Sequence, residues 1–204
     1  NVTVIVVDLC EKSIELLHSK ANECDCPLDS TSRHLEPSPH PQLRQCQTIP
    51  NLYTFSGPLQ AFEGDFDIGV ALHLCGEATD VALRKCGLEN ARAIVFAPCC
   101  VGKLNPNVKN PYIRLATGSD TPSVLYPQSS LFQQHITVKE DWNALARAAD
   151  YGDAQESRTI RNAARRTAKA LLETDRRLLL EDHFGYCTAL TRMEPWEATP
   201  KNDI

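Results

Sequence analysis

The stretch 66–102, FDIGVALHLCGEATDVALRKCGLENARAIVFAPCCVG, constrains the fold more than any other part of the chain. A first apolar, β-branched run (66–74) closes on His73-Leu74-Cys75-Gly76. An amphipathic segment follows, with Ala78, Val81, Ala82 and Leu83 at helical spacing and Gly87 as a plausible stop. A second apolar run (93–97) then closes on Pro98-Cys99-Cys100. Strand, helix, strand in this order predicts a β-α-β unit with parallel strands and a right-handed crossover. Open parallel sheets bind ligands beyond the carboxyl ends of their strands. Both clusters fall at such ends, so chemistry is expected there.

The beginning of the chain repeats the theme. Residues 2–7 are continuously apolar and mostly β-branched, as in a strand buried on both faces, and they close on Asp8. A helix is predicted over 10–22, with Ile14, Leu17 and Ala21 on one face. An acid at this position has two readings. Its carboxylate can accept both hydroxyls of a ribose in a fork, as nucleotide-binding halves do, or it can cap the helix that follows. A short strand is predicted at 51–55, with Ser56-Gly57-Pro58 as its turn and 59–62 placed to flank a bound base.

Bulk properties exclude several classes. A net charge of −5 and a pI near 5.7 give no global basic field for nucleic acid. No apolar run approaches the roughly 20 residues of a membrane span, so no membrane partner is expected. Nine cysteines without a secreted-scaffold pattern suit reduced thiols, hence a cytoplasmic or nuclear setting. The chain opens inside an apolar run at Asn1 and stops at Ile204, and is read as a domain fragment over 1–204.

The remaining segments are read in order. Residues 24–50 carry Pro27, Pro37, Pro39, Pro41 and Pro50 and read as a mobile surface insertion. Cys24, Cys26, Cys46, His34 and His40 could be assembled into a zinc site there, but their spacing is not that of a known finger, so no metal is expected. Cys99 and Cys100 admit three roles: metal ligands, a nucleophile, or small residues lining a pocket at a tight turn. Residues 103–130, rich in Pro, Asn and Ser, read as a lid-like loop. Helices are predicted over 137–150, with Trp142, Leu145 and Ala149 inward, and over about 156–183. The long helix is given an inner face of Ile160, Ala164, Ala168, Leu171, Leu172, Leu178 and Leu179. Arg158, Arg161, Arg165, Lys169 and Arg176 form a basic stripe, read either as a solvated face or as a phosphate contact. A strand is predicted at 186–193, and 202–204 reads as the start of another.

Taken together, the motifs carry a resemblance. Phe66 to Gly76, Ala78-Thr79-Asp80, Pro98-Cys99-Cys100 with Gly102, Tyr126-Pro127 with Ser129 and Phe132, Gly185-Tyr186-Cys187 and Met193-Glu194-Pro195 occur in order. This set resembles the methyltransferase-like domain of the glutathione S-transferase C-terminal domain-containing proteins. Its His-Leu-Cys-Gly, Ala-Thr-Asp and Cys-Cys parts are also similar to tRNA 2'-O-methyltransferases acting on the acceptor stem.

The resemblance implies an α/β, Rossmann-like class I fold that binds S-adenosyl-L-methionine, with strand order 3-2-1-4-5-7-6. Residues 2–7, 51–55, 66–73, 93–97 and 186–193 would be its second to sixth strands. The fold would be incomplete, the first strand and glycine-rich loop missing and the last strand truncated, so this stretch alone is expected to fold poorly and to be inactive. Asp8 would hold the ribose, and Leu9 and Leu59 the adenine. His73, Leu74, Cys75 and Gly76 would border the methionine end, with Asp80 near the helix entrance. Pro98, Cys99 and Cys100 would line the substrate pocket. His73 is the catalytic candidate, positioning or deprotonating an acceptor. The acceptor stays open, with RNA a candidate. The competing expectations are a methyltransferase-like binding or scaffold module without catalysis, and a zinc-binding module built on the cysteines.

Overall fold

The computed structural model describes residues 2–8, 10–23, 41–49, 51–101, 104, 124–149 and 160–191. The protein is mixed α/β and divides into two compact units, Asn1–Asp65 and Phe66–Ile204. Each carries its own small sheet.

In the first unit, β1 (Val4–Asp8) runs parallel to β3 (Leu52–Ser56), in register from Val4 opposite Leu52 to Asp8 opposite Ser56. The apolar runs at 2–7 and 51–55 therefore pair as adjacent parallel strands. Helix α1 (Glu11–Glu23) follows β1 and buries Ile14 and Ala21. Ala21, Cys46 and Leu52 make a small core, with Val6, Leu17 and Ile49 packed against it. One strand in this unit was not expected. β2 (Arg44–Gln45) pairs antiparallel with the far side of β3, inside the stretch read as a mobile insertion. It is held by the Cys46 N–H on Leu52 O at 2.8 Å and by the Thr54 hydroxyl on Arg44 O at 3.2 Å. Two residues are too few to show a period of two, so its signal lies only in the buried Leu43 and Cys46. Residues 24–40 lie outside those described.

The second unit contains the predicted β-α-β. β4 (Ile68–Leu72) and β5 (Ala93–Ala97) are parallel, joined through helix α2 (Glu77–Leu88). Ile68, Val70, Leu72 and Val95 share one face of this pair and are 59–75% exposed. Among the described residues, β4 pairs with β5 alone and β1 with β3 alone. Three further helices, α3 (Ser130–His135), α4 (Lys139–Ala149) and α5 (Ile160–Phe184), complete the unit. Their core is Val101, Leu104, Phe132, Trp142, Ala146, Ala149, Ala168 and Leu172, with Tyr126 stacked on Trp142 at 5.3 Å.

Gly69 lets β4 lie close to α2. A Cβ there would sit well inside contact distance of the Cys86 sulfur, in a buried part of the unit. Gly69→Ala is expected to cost about 1–3 kcal/mol, as overpacking does. Urea midpoints check it, and adding Cys86→Ala should recover part of the loss, because the two sites couple through one clash.

Three expectations are corrected here. Residues 186–191 form no strand. A strand needs a ladder partner, and in the implied order its neighbour is the seventh, whose expected residues 202–204 lie outside those described. The inner face of α5 is the predicted one only in part: Ala168, Leu172 and Leu179 are buried, but Ala164 and Leu171 are exposed and Lys169, Glu173, Asp175 and Arg176 are buried as well. The basic stripe is likewise broken among the described residues, Arg158 and the Arg161 side chain lying outside them. Lys169 and Arg176 point into the unit because buried acceptors wait for them there.

Candidate functional site

Each unit presents the carboxyl ends of two parallel strands. In the first, Asp8 closes β1 and is half-buried. Its Oδ1 accepts the Cys10 N–H at 2.7 Å, and Cys10 O takes the first helical bonds from Ser13 and Ile14, so Asp8 caps α1 only indirectly, by fixing the residue that opens it. Among the described residues nothing holds Oδ2, so the cap leaves one carboxylate oxygen for a ligand. The turn after β3 lies at the same edge, with Gly57 N–H on Asp8 O at 3.1 Å and Leu59 half-buried in a 3-10 turn, Leu59–Ala61. Leu9 lies outside the described residues.

In the second unit, the two clusters are stitched together by backbone. His73 N–H donates to Ala97 O at 3.0 Å, and Gly76 N–H to Cys100 O at 2.8 Å. The turn between them is unusual. His73 has φ +60° although it carries a side chain, and Gly76 has φ +59° and ψ −133°, which only glycine adopts without strain. Thr79 pins the turn by donating its hydroxyl to Leu74 O at 2.6 Å. His73 itself is exposed.

This turn brings a third sulfur to Cys99 and Cys100. The Sγ atoms of Cys75 and Cys99 are 3.1 Å apart and those of Cys99 and Cys100 3.5 Å. Cys99 is buried, and burial, the hydrogen bonds with Cys75 and Cys100 and their neighbouring charge push its thiol up to about 12. A thiol held neutral is a poor nucleophile, which weighs against that role for Cys99.

Asp80 has a different place from the one expected of a cofactor ligand. It is fully buried in α2, and four donors fill its carboxylate. Arg176 gives Nε to Oδ1 at 2.9 Å and Nη2 to Oδ2 at 2.7 Å. Gln128 Nε2 and the Tyr126 hydroxyl each add a bond at 2.6 Å. Nothing is left for a ligand. Arg176 also reaches Gly76 O at 2.9 Å and Glu173 at 3.0 Å, so the ion network supports the turn from beneath. Burial pulls the Arg176 guanidinium down, but the Asp80 and Glu173 carboxylates outweigh it and hold it charged. Burial and the Asp80 carboxylate push the Tyr126 phenol up, so it stays a donor. Lys169, also buried, donates to Pro98 O at 3.4 Å.

Residues 124–130, the end of the stretch read as a lid, are tied into this network. Asp175 accepts from the backbone N–H of Gln128 at 2.9 Å and from Ser129 N–H and hydroxyl at 2.8 and 2.7 Å. Burial raises the Asp175 carboxyl above its ordinary 3.8, against the hydrogen bonds that lower it. A raised acid penalises the native state once ionised, and the native state takes up its proton first as pH falls. Stability should therefore gain a favourable increment as pH drops toward 3.8, and Asp175→Asn should flatten that increment. Denaturant midpoints measured across this window for both proteins check the sign.

These buried partners were missed in the sequence. The signal that could have found them is the spacing of Lys169, Glu173 and Arg176 among Ala168, Leu172 and Leu179, which are buried residues of the same helix.

A family model described as a methyltransferase domain matches residues 1–107 of this chain. The chain belongs to that methyltransferase domain family. The relative from Drosophila melanogaster, named a glutathione S-transferase C-terminal domain-containing protein homolog, is 34% identical over 161 residues. The proteins of that name from Bos taurus and Homo sapiens are 31% and 29% identical over 156 residues. These matches cover 76% of this chain but only 22–24% of the relatives, so the chain spans about a quarter of their length. No solved structure matches it. No described helix of this methyltransferase-family chain is long and apolar enough to cross a membrane.

Proposed function

We propose that the chain is an S-adenosyl-L-methionine-dependent methyltransferase domain with an incomplete Rossmann-like sheet. One observation carries the reading. Within the span matched by the methyltransferase family, the acid Asp8 and the strained His73–Gly76 turn both stand at carboxyl ends of parallel strands, where such sheets take nucleotides. The strand pairs support it. In the order 3-2-1-4-5-7-6 the second strand pairs with the third and the fourth with the fifth, as β1 pairs with β3 and β4 with β5. A cavity of about 320 Å³ is lined by β5, by α2 and α5 and by residues 186–190.

The residues present fit the cofactor at one test point. A carboxylate that keeps an oxygen beyond its cap can take the ribose hydroxyls. When bound, S-adenosyl-L-methionine supplies a methyl group on a sulfonium, which an acceptor attacks in line. Asp8 and Leu59, at the strand ends of the first unit, would hold the nucleoside; in the second unit, the His73–Gly76 turn would orient an acceptor, orientation supplying much of the acceleration. His73, exposed at the strand end, would position the acceptor and take its proton as the new bond forms. Pro98 and Cys100 would line the acceptor side. A hydroxyl of an RNA is the acceptor class proposed.

Calorimetric titration of S-adenosyl-L-methionine and its demethylated product tests this. It should use the protein with any residues that precede Asn1 in the natural chain. Micromolar binding is the expected result. A well-folded protein that binds neither would replace this reading with a scaffold module.

A further inference from the structure

We propose that Cys75, Cys99 and Cys100 form a three-sulfur binding site for zinc(II), closing the carboxyl ends of β4 and β5 over one metal ion. The three Sγ atoms all lie within 4.8 Å of one another. Tetrahedral zinc with Zn–S bonds of about 2.3 Å separates its sulfurs by about 3.8 Å. Two of the present separations, 3.1 and 3.5 Å, fall just short of that value and the third is no more than 4.8 Å, so small rotations of the side chains suffice.

The sulfurs come from two loops that backbone already locks together, through His73 N–H on Ala97 O and Gly76 N–H on Cys100 O. No disulfide joins them. Cys99 lies at the buried floor, while Cys75 and Cys100 are half-buried and leave a route for entry. Binding breaks three S–H bonds, forms three S–Zn bonds and releases three protons to solvent, with no change of oxidation state. The site then carries one net negative charge. The buried Lys169 ammonium on Pro98 O stands beside Cys99 in the chain, and the N-terminus of α2 begins directly after Cys75 and Gly76, so both offset it. Three protein ligands leave the fourth position for water or for an oxygen of a substrate, as in zinc sites that do chemistry. The proposal does not depend on methyl transfer and survives if the cofactor fails to bind.

Zinc(II) alone is the probe. Titration against a chromogenic chelator should show one strong equivalent per chain, and X-ray absorption should show three sulfurs at about 2.3 Å. Cys75→Ser and Cys100→Ser should each weaken binding at least tenfold, whereas Cys10→Ser and Cys187→Ser, at exposed thiols, should not. The unaltered protein gives a second readout. Zinc should slow alkylation of Cys75 and Cys100 by iodoacetamide and leave Cys10 and Cys187 unprotected. Failure to retain zinc, a sulfur count unchanged in both variants, or equal labelling of all four thiols would each overturn the site.

Discussion

Arg176→Met is expected to destabilise the second unit by about 3–5 kcal/mol, the largest loss from any single change considered. The guanidinium holds Asp80 through two bonds, Glu173 through Nη1 and the Gly76 carbonyl through Nη2. Methionine fills much of the volume but donates nothing. Two carboxylates with 5% or less of their side chains exposed would then lose their countercharge together. Tyr126 and Gln128 would still bond Asp80, yet neither neutralises it. In a unit of this size each kcal/mol lowers the melting midpoint by roughly 2–4 °C, so a fall of about 6–20 °C is expected. The contrast is Arg177→Met, whose partner Glu181 is partly exposed, and which should stay within about 1 kcal/mol. Equal effects of the two variants would mean that the buried network is not what holds α2 to α5.

The network also explains which features were legible in the sequence. The parallel pairs β1–β3 and β4–β5 were readable, because each strand is a local apolar run that closes on a polar or turn residue. Helix α2 and the inward Trp142 and Ala149 of α4 were readable for the same reason: a helical period is local. The partners of Asp80 were not, since Arg176 lies 96 residues away and its ion pair leaves no local trace. Arg176 and Lys169 sit at the spacing of a solvated basic stripe, and only the acceptors across the unit, Asp80, Gly76 and Pro98, decide that they turn inward. Tyr186 shows the opposite failure. A strand was expected from its neighbours' composition, but its hydroxyl donates to Ala91 O at 2.6 Å, and the segment is held by that contact rather than by a ladder. The third sulfur at Cys99 was missed because Cys75 is 24 residues away and reaches it only through the left-handed turn at His73 and Gly76.

The end of β1 makes the second large prediction specific. Asp8→Asn is expected to weaken S-adenosyl-L-methionine binding roughly ten- to a hundredfold, about 1.4–2.8 kcal/mol, in calorimetric titration. The argument rests on what asparagine keeps. Its side-chain oxygen still accepts the Cys10 N–H now held by Oδ1, so the start of α1 stays capped and stability should shift by less than about 0.5 kcal/mol. What is lost is the second acceptor oxygen and the charge, and hydrogen bonds to a charged group are worth about twice those between neutral ones. Asp8→Ala removes the cap as well, so it should lose affinity to a similar degree and stability by about a further 1 kcal/mol. Parallel melting curves separate the two effects. If Asp8→Asn binds as tightly as the unaltered protein while Asp8→Ala only melts earlier, Asp8 is a helix cap and the nucleoside is held elsewhere. If both variants lose affinity while only Asp8→Ala loses stability, one carboxylate serves the helix with one oxygen and the ribose with the other.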